Sequence, residues 1–420
     1  MIRRGAKGIA AAWLIAAAAN CLSAEPSVVP HGRLETLNGY TVVSVEGTPE
    51  EMGTAYGTLL GPTVRRVVQA IITDGIAKEP DARQNILTAS KVMERFQPPE
   101  FLAELKAVAA AAKVSYDDLV LLQYFGDVRR CITGPGSASM CCSFAILPPL
   151  TKEQVCLVGR SFEYIDNGVG EYASLLAYHR PRGRIPFVTV TWAGVLNGWT
   201  LLNEKGVVCS NMTAFGAKSQ SLEGISTCTM LRYVAERAST VAEGVALVEK
   251  GPRACATNML IASGSPPDGA LLEFDHARIA VRRPEGGFVG GANSYFKLYQ
   301  EGAGDADPYW GRIKAARDLA LGNRGKLDFS WNLGGAEGVP IVSMSLHTVT
   351  LDATNRRLKV AMGKTPACEL PARAFRLTDQ GLVPDPAANE RPKTEESPRN
   401  TRKDAKGEKE DLTGSPRKAE

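Results

Sequence analysis

Histidine is scarce in this chain: among 420 residues there are four, His31, His179, His276 and His347, and they lie far apart. No Cys-x-x-Cys pair stands beside them, so a zinc site has no basis in the sequence. Charge of one sign is lacking too. The formal net charge is +4 and the basic residues are scattered among acids, which leaves no electrostatic footprint for a nucleic-acid partner. Long apolar runs are absent beyond the first two dozen residues, and no later segment approaches the twenty or so apolar residues that a membrane helix needs. Internal repeats are absent as well.

What is present suits a chain that buries a sizeable core. With 44% hydrophobic and 22% charged residues, it is large enough for one big domain or two intertwined halves. Residues 1–24 read as an export signal: Arg3, Arg4 and Lys7 precede the apolar run Ile9 to Ala19, and Leu22-Ser23-Ala24 offers a small residue before Glu25. The mature protein is therefore expected to be exported, to the periplasm or the medium. Nine cysteines occur; in an oxidising compartment some of Cys131, Cys142, Cys156, Cys209, Cys228, Cys255 and Cys368 would pair, although spacing gives no connectivity, and buried thiols acting as small apolar residues are the other reading. Between Glu390 and Glu420, seventeen of thirty-one residues are charged and none is aromatic, so this segment is expected to stay a disordered, solvated tail.

The middle of the chain divides in two. From residue 25 to 140 the pattern is mainly helical: Tyr40 to Val45 reads as a strand, then Thr48-Pro49-Glu50-Glu51 as a capped helix start. Gly61-Pro62 is expected to interrupt that helix, and further helices are expected at Pro99 to Ala112 and Ser115 to Leu122. From 141 to 389 short strands dominate, among them Ser143 to Leu147, Phe187 to Trp192, Val207 to Ser210, Met259 to Ala262 and Ile279 to Arg282, with helices at Thr229 to Ala238 and Thr240 to Glu249. Such an order suggests an α+β fold in which two antiparallel sheets carry helices on their outer sides.

Chemistry concentrates where that change of character falls. Met140-Cys141-Cys142-Ser143-Phe144-Ala145-Ile146 puts a thiol directly before a strand, and Gly159-Arg160-Ser161-Phe162-Glu163-Tyr164 follows with a cation and a carboxylate three apart. A thiol needs a nearby cation to become a thiolate, and an α-amino group freed by cleavage before Cys141 can take its proton. With an ordinary pKa of about 8, that amine can also return the proton to a leaving group near neutral pH. A histidine motif is then unnecessary. Cys142 is the competing nucleophile; Cys141 is preferred because Phe144 and Ile146 then alternate onto the core face.

These residues resemble the isopenicillin N acyltransferase family, the autoproteolytic cysteine branch of the N-terminal-nucleophile hydrolases, which includes bile-salt hydrolases and penicillin V acylases. The correspondence runs from Gly47-Thr48-Pro49-Glu50-Glu51-Met52-Gly53 through Cys141 and Arg160 to Asn203-Glu204-Lys205-Gly206-Val207, Gly291-Ala292-Asn293 and the stretch near Arg312. The resemblance implies a four-layer αββα fold and self-cleavage between Met140 and Cys141, the two pieces staying associated. It also implies roles: Cys141 as nucleophile, Arg160 to activate and orient it, Glu163 in place of the family's aspartate to hold the new ammonium, Asn211 and Asn293 as oxyanion donors, and Arg312 in support. No cofactor or metal is expected. The activity implied is hydrolysis or acyl transfer on linear, non-peptide amides of N-acylated small molecules, with no nucleic-acid partner and homo-oligomerisation left open. Two alternatives remain: a bile-acid amide hydrolase, and an inactive secreted binding or scaffold protein of the same fold, for which the Asp-to-Glu change at Glu163 and the Thr-to-Cys change at Cys142 argue.

Overall fold

The computed structural model describes residues 25–79, 81–133, 141–164, 167–299, 310–335, 337–339 and 344–386. The expected export signal over 1–24, the expected tail over 390–420 and Met140 lie outside the described residues. Three strands come first, β1 (Ser27–Val29), β2 (Gly32–Leu37) and β3 (Tyr40–Gly47), followed by helices α1 (Pro49–Val68), α2 (Ala82–Glu94), α3 (Pro99–Ala112) and α4 (Tyr116–Thr133). Next come β4 (Cys142–Ile146), β5 (Leu157–Glu163), the single turn α5 (Gly170–Ala173), β6 (Ser174–Pro181), β7 (Phe187–Trp192), β8 (Thr200–Asn203) and β9 (Val207–Thr213). Helices α6 (Thr227–Ala235) and α7 (Val241–Lys250) precede β10 (Thr257–Gly264), β11 (Pro267–Phe274), β12 (Ile279–Arg282) and β13 (Phe288–Gly291). The chain continues through α8 (Trp310–Gly322), β14 (Ser345–Asp352), β15 (Arg357–Met362), β16 (Arg373–Thr378) and β17 (Gly381–Pro384).

The strands form two sheets, one of ten in the order β1-β2-β3-β6-β7-β8-β9-β10-β11-β12 and one of seven in the order β13-β4-β5-β14-β15-β16-β17. On the outer face of the first, Met230, Leu231 and Val234 of α6 and Val245 and Val248 of α7 bury Met259, Ile261 and Leu272. On the outer face of the second, Ile313, Ala316 and Ala320 of α8 bury Cys142, Phe144, Ile146 and Leu157. Ala145, Val158, Leu260, Leu271 and Val349 fill the space between the sheets, where the Ser210 hydroxyl donates to the Ser143 hydroxyl at 2.8 Å. The layers thus run helix, sheet, sheet, helix, as the resemblance implies. Both faces of the central strands are covered, which is why every residue of β4 and β10 is buried rather than every second one.

Two departures from expectation bear on the site. Beside the expected strand at Tyr40 to Val45, the mainly helical leading segment carries β1 and β2: β1 to β3 extend the ten-stranded sheet, joined to it by the parallel pairing of β3 with β6, while the other ladders among the described residues are antiparallel. In α1 the expected capping box is present, with Thr48 N–H donating to Glu51 at 2.7 Å and Glu51 N–H to Thr48 Oγ1 at 3.2 Å. The expected break at Pro62 is not, because α1 runs through it to Val68. Pro62 and Thr58 are both exposed, so water can bond the Thr58 carbonyl that the proline leaves without an N–H partner.

What fixes α1 is its close approach to α3. A Cβ built on Gly57 would lie 2.7 Å from the Val108 carbonyl oxygen and 2.8 Å from Ala111 Cβ, distances no backbone neighbour can tolerate without moving. Gly57→Val is expected to force the two helices apart and destabilise the fold by about 1–3 kcal/mol, the usual cost of overpacking. Urea unfolding of the variant against the parent measures it, and an unchanged midpoint would contradict the packing described.

Candidate active site

Cys142 begins β4 and Cys141 directly precedes it, and the two thiols meet different layers. Successive strand residues point to opposite faces. Cys142 joins Phe144 and Ile146 in the layer under α8, whereas Cys141 lines a cavity of about 250 Å³. The apolar wall of that cavity is aromatic, made of Phe125, Phe162, Tyr164, Trp192 and Trp199. Phe162 stacks on Trp199 with ring centroids 4.7 Å apart, and Trp192 meets Trp199 edge-on at 5.2 Å. Its polar side is supplied by Asp127, Arg129 and Arg130 of α4 and by Asn211 and Thr213 of β9. Sequence reasoning ended α4 at Leu122 and so missed the turns that carry these groups. Helix α4 persists because it packs against α2, a helix that the weak apolar pattern of residues 82–94 did not signal.

Arg160 pairs with Ser143 across β4 and β5, on the inner face. It is fully buried, and its Nη1 donates to the carbonyls of Cys142, at 3.3 Å, and Ser161, at 3.0 Å. Its Nε and Nη2 have no partner among the described residues. A buried cation with unused donors is costly and is seldom kept without a use. Here it sits one peptide from Cys141, with its guanidinium carbon 5.2 Å from the centroid of Phe162, a wall of the cavity.

Two neighbouring thiols are poorly suited to be nucleophiles. Burial pushes Cys142 up to about 11 despite the pull of Arg312. Burial, with Asp127 adding to it, also pushes up Cys228, which lines the same cavity. Both remain protonated at neutral pH.

His347, isolated in the sequence from the other histidines, lies in β14. It is stacked on Phe162 at 5.0 Å and shares a hydrogen bond with Thr200 at 2.9 Å. Burial first, and the charge of Arg160 second, hold the imidazole well below its usual pKa, so it stays neutral in the folded protein while an unfolded chain would protonate it near pH 6.5. Folded stability must then fall as pH drops below that value. In His347→Gln this sensitivity is removed. The stability gap between parent and variant is expected to narrow, by up to about 1.4 kcal/mol per pH unit below pH 6.5. Unfolding curves at pH 7.5, 6.5 and 5.5 check the sign; a gap that widens in acid would refute it.

Glu163 and Arg312 face the other way, toward α8. Arg312 Nη2 donates to Glu163 Oε1 at 2.8 Å and Nη1 to Oε2 at 3.4 Å, and the Ser161 hydroxyl donates to Oε1 as well. The Glu163 carboxylate is therefore already held by a buried cation, although its main-chain carbonyl accepts from Cys141 Sγ at 3.7 Å. The two asparagines differ. Asn211 lines the cavity with Cys141, and its Oδ1 is buried without a partner among the described residues. Asn293 is fully buried and commits its Nδ2 to the Thr213 carbonyl at 2.6 Å. The loop that holds it is clamped by Asn258, whose Nδ2 donates to the Ala292 and Ser294 carbonyls at 2.8 Å each. Asn258 was not singled out in the sequence, where an asparagine inside an apolar strand carries no motif.

Known proteins match parts of this chain. Residues 166–324 match the acyl-coenzyme A:6-aminopenicillanic acid acyl-transferase family, the family that the sequence motifs resemble. That stretch includes Asn211, Asn293 and Arg312 and stops short of Cys141, Arg160 and Glu163, which rest on geometry. An uncharacterized protein of Archaeoglobus fulgidus is 25% identical over 279 residues, 60% of this chain and 47% of that protein. Protein dcd1B of Dictyostelium discoideum is 19% identical over 277 residues, 60% of this chain and 54% of that protein. The chain thus spans about half the length of the curated relatives it matches. Among solved structures it is similar to the Caenorhabditis elegans ortholog of N-acylethanolamine-hydrolyzing acid amidase, with 13% identity and a TM-score of 0.41 over 51% of this chain and 93% of that one.

Proposed function

We propose that this chain is an exported, self-cleaving cysteine enzyme that breaks linear amides of N-acylated small molecules through a thioester on Cys141. The observation that carries this reading is the opposed placement of the two thiols. Cys141 opens onto an aromatic-walled cavity, with the buried Arg160 bonded to the carbonyl of the next residue, while Cys142 is packed under α8. In this scheme Cys141 Sγ first attacks the carbonyl of Met140, and hydrolysis of the resulting thioester leaves Cys141 with a free α-amine. That amine takes the thiol proton as Sγ attacks the substrate's acyl carbon. Asn211, on the cavity wall, would donate an Nδ2–H to the oxygen that becomes negative, and removing such a donor typically raises the barrier by several kcal/mol. The proton returns to the leaving amine, and water, activated by the same α-amine, releases the acid.

The cavity's makeup bears on the acyl group. Its walls are aromatic and its volume of about 250 Å³ is below the range of roughly 300 Å³ upward in which pockets for drug-sized ligands lie. A compact aryl or short aliphatic acyl group fits such a space better than a steroid, which weighs against bile-acid amides. Hydrolysis is preferred to transfer, because an exported protein meets little coenzyme A. No helix among the described residues is long and apolar enough to cross a membrane.

The test combines mass and turnover. Purified protein is expected to consist of two pieces, the second beginning at Cys141, and to release acid and amine in equal amounts from N-phenylacetyl or N-hexanoyl amino acids. Rapid denaturation during turnover should trap an acyl group on the Cys141 peptide. A single uncut chain that binds these amides without releasing products would instead establish the binding-protein alternative.

A further inference from the structure

Outside the cavity, a second pair of sulfurs is brought together from distant parts of the chain. Cys131 lies in the last turns of α4 and Cys255 two residues before β10, and their Sγ atoms are 3.0 Å apart. Cys131 is partly exposed, whereas Cys255 is buried. The contact is anchored on both sides. Cys255 Sγ lies 3.5 Å from the Asp127 carbonyl, and Arg130 Nη1 donates to the Ala256 carbonyl at 3.2 Å, so the end of α4 is already docked against the segment that carries Cys255 into β10.

We propose that Cys131 and Cys255 form a structural disulfide that ties the leading segment to the rest of the molecule; this rests on the exported, self-cleaving reading above. A disulfide needs sulfurs about 2.05 Å apart, so a further closure of roughly 1 Å completes it, within reach of a side-chain rotation in the last turns of a helix. The chemistry is thiol–disulfide exchange with a small disulfide of the export compartment. The accessible Cys131 thiolate attacks that disulfide and expels one thiol. Cys255 then attacks the Cys131 sulfur and expels the second, so two protein thiols are oxidised as one disulfide is reduced to two thiols. The bond closes a loop of 124 residues, and long loops gain most from closure. A cut before Cys141 falls inside that loop, so the disulfide would be the covalent link between the two pieces. It would also fix the part of α4 that brings Asp127 and Arg130 to the cavity edge.

The experiment uses the full chain, both as purified and as the Cys141→Ala variant, equilibrated with oxidised and reduced glutathione, alkylated and digested. The expected result is a cross-linked pair of peptides containing Cys131 and Cys255, two hydrogens lighter than their sum, in both proteins. On a denaturing gel the parent should run as one band without reductant and two with it, and Cys131→Ser should give two bands in either case. The oxidised form should also melt several degrees above the reduced one. Recovery of both cysteines alkylated from folded, oxidised protein, or of either linked to Cys228 instead, overturns the proposal. An uncut chain that carries the cross-link sustains the disulfide and removes self-cleavage, whereas a cut chain without it does the reverse.

Discussion

Cys141→Ala is expected to leave the chain uncut and to abolish turnover, a loss on the order of a millionfold of the kind seen when the nucleophile of a hydrolase is removed. Cys142→Ala is expected to mature and turn over normally. The contrast follows from β4 alone. Cys142, its first residue, alternates with Phe144 and Ile146 onto the α8 side, and of the two thiols Cys141, just before the strand, is the one that lines the cavity. The Cys142 thiol is fully buried among Phe144, Ile146 and Ile313, and burial keeps it protonated. Its truncation removes one sulfur from a packed layer, a loss of about 1 kcal/mol in stability. Cys141→Ser is the graded case, since a hydroxyl can make the same acyl shift slowly. Intact mass, N-terminal sequencing and product release on the three variants give the answer. If Cys142→Ala alone stays uncut while Cys141→Ala matures, the nucleophile is Cys142 and the cavity assignment falls with it.

How much of this was legible in the sequence follows from the range of each signal. Local rules served where the chain itself supplies them: the Thr48-Pro49-Glu51 cap, helix α3 over Pro99–Ala112, and strands β7 and β12 appear where the pattern put them. They failed where tertiary packing decides. Pro62 sits inside α1 because the face it occupies is exposed, α4 extends past Leu122 because α2 and the sheet receive it, and β13 was missed because Phe-Val-Gly-Gly lacks the bulk of a strand. Its glycines are needed there: a Cβ on Gly290 would lie 2.6 Å from Phe144 Cβ. The site divides in the same way. Cys141 and Arg160 stood out as candidates because each lies in a short contiguous stretch. Phe162 and Tyr164 stand in the second of those stretches, but Phe125, Trp192, Trp199, Asn258 and His347 did not stand out, since they come from other helices, strands and loops that only the fold brings together.

The motif also placed Glu163 and Arg312 without saying that they meet, and their pairing yields the second prediction with a large effect. Arg312→Met is expected to cost about 3–5 kcal/mol, because it leaves the Glu163 carboxylate buried with the Ser161 hydroxyl and no compensating cation. Glu163→Gln is expected to cost a similar amount, since it strips the buried guanidinium of its counter-charge. Combining the two should recover most of the loss, because a buried ion pair replaced on both sides can be nearly neutral in stability. Self-cleavage separates structure from chemistry. The Glu163 main-chain carbonyl accepts from Cys141 Sγ, and although its carboxylate is turned toward Arg312, the family resemblance assigns that carboxylate to the ammonium formed at the cut. The double variant is thus expected to fold but to mature and turn over far more slowly than the parent, while Glu163→Asp, which keeps the charge, retains activity. Urea midpoints paired with the fraction of cut chain measure both effects. A double variant that regains stability and also matures at the parental rate would reduce Glu163 and Arg312 to a structural clasp behind the sheet, and the ammonium formed at Cys141 would need another partner.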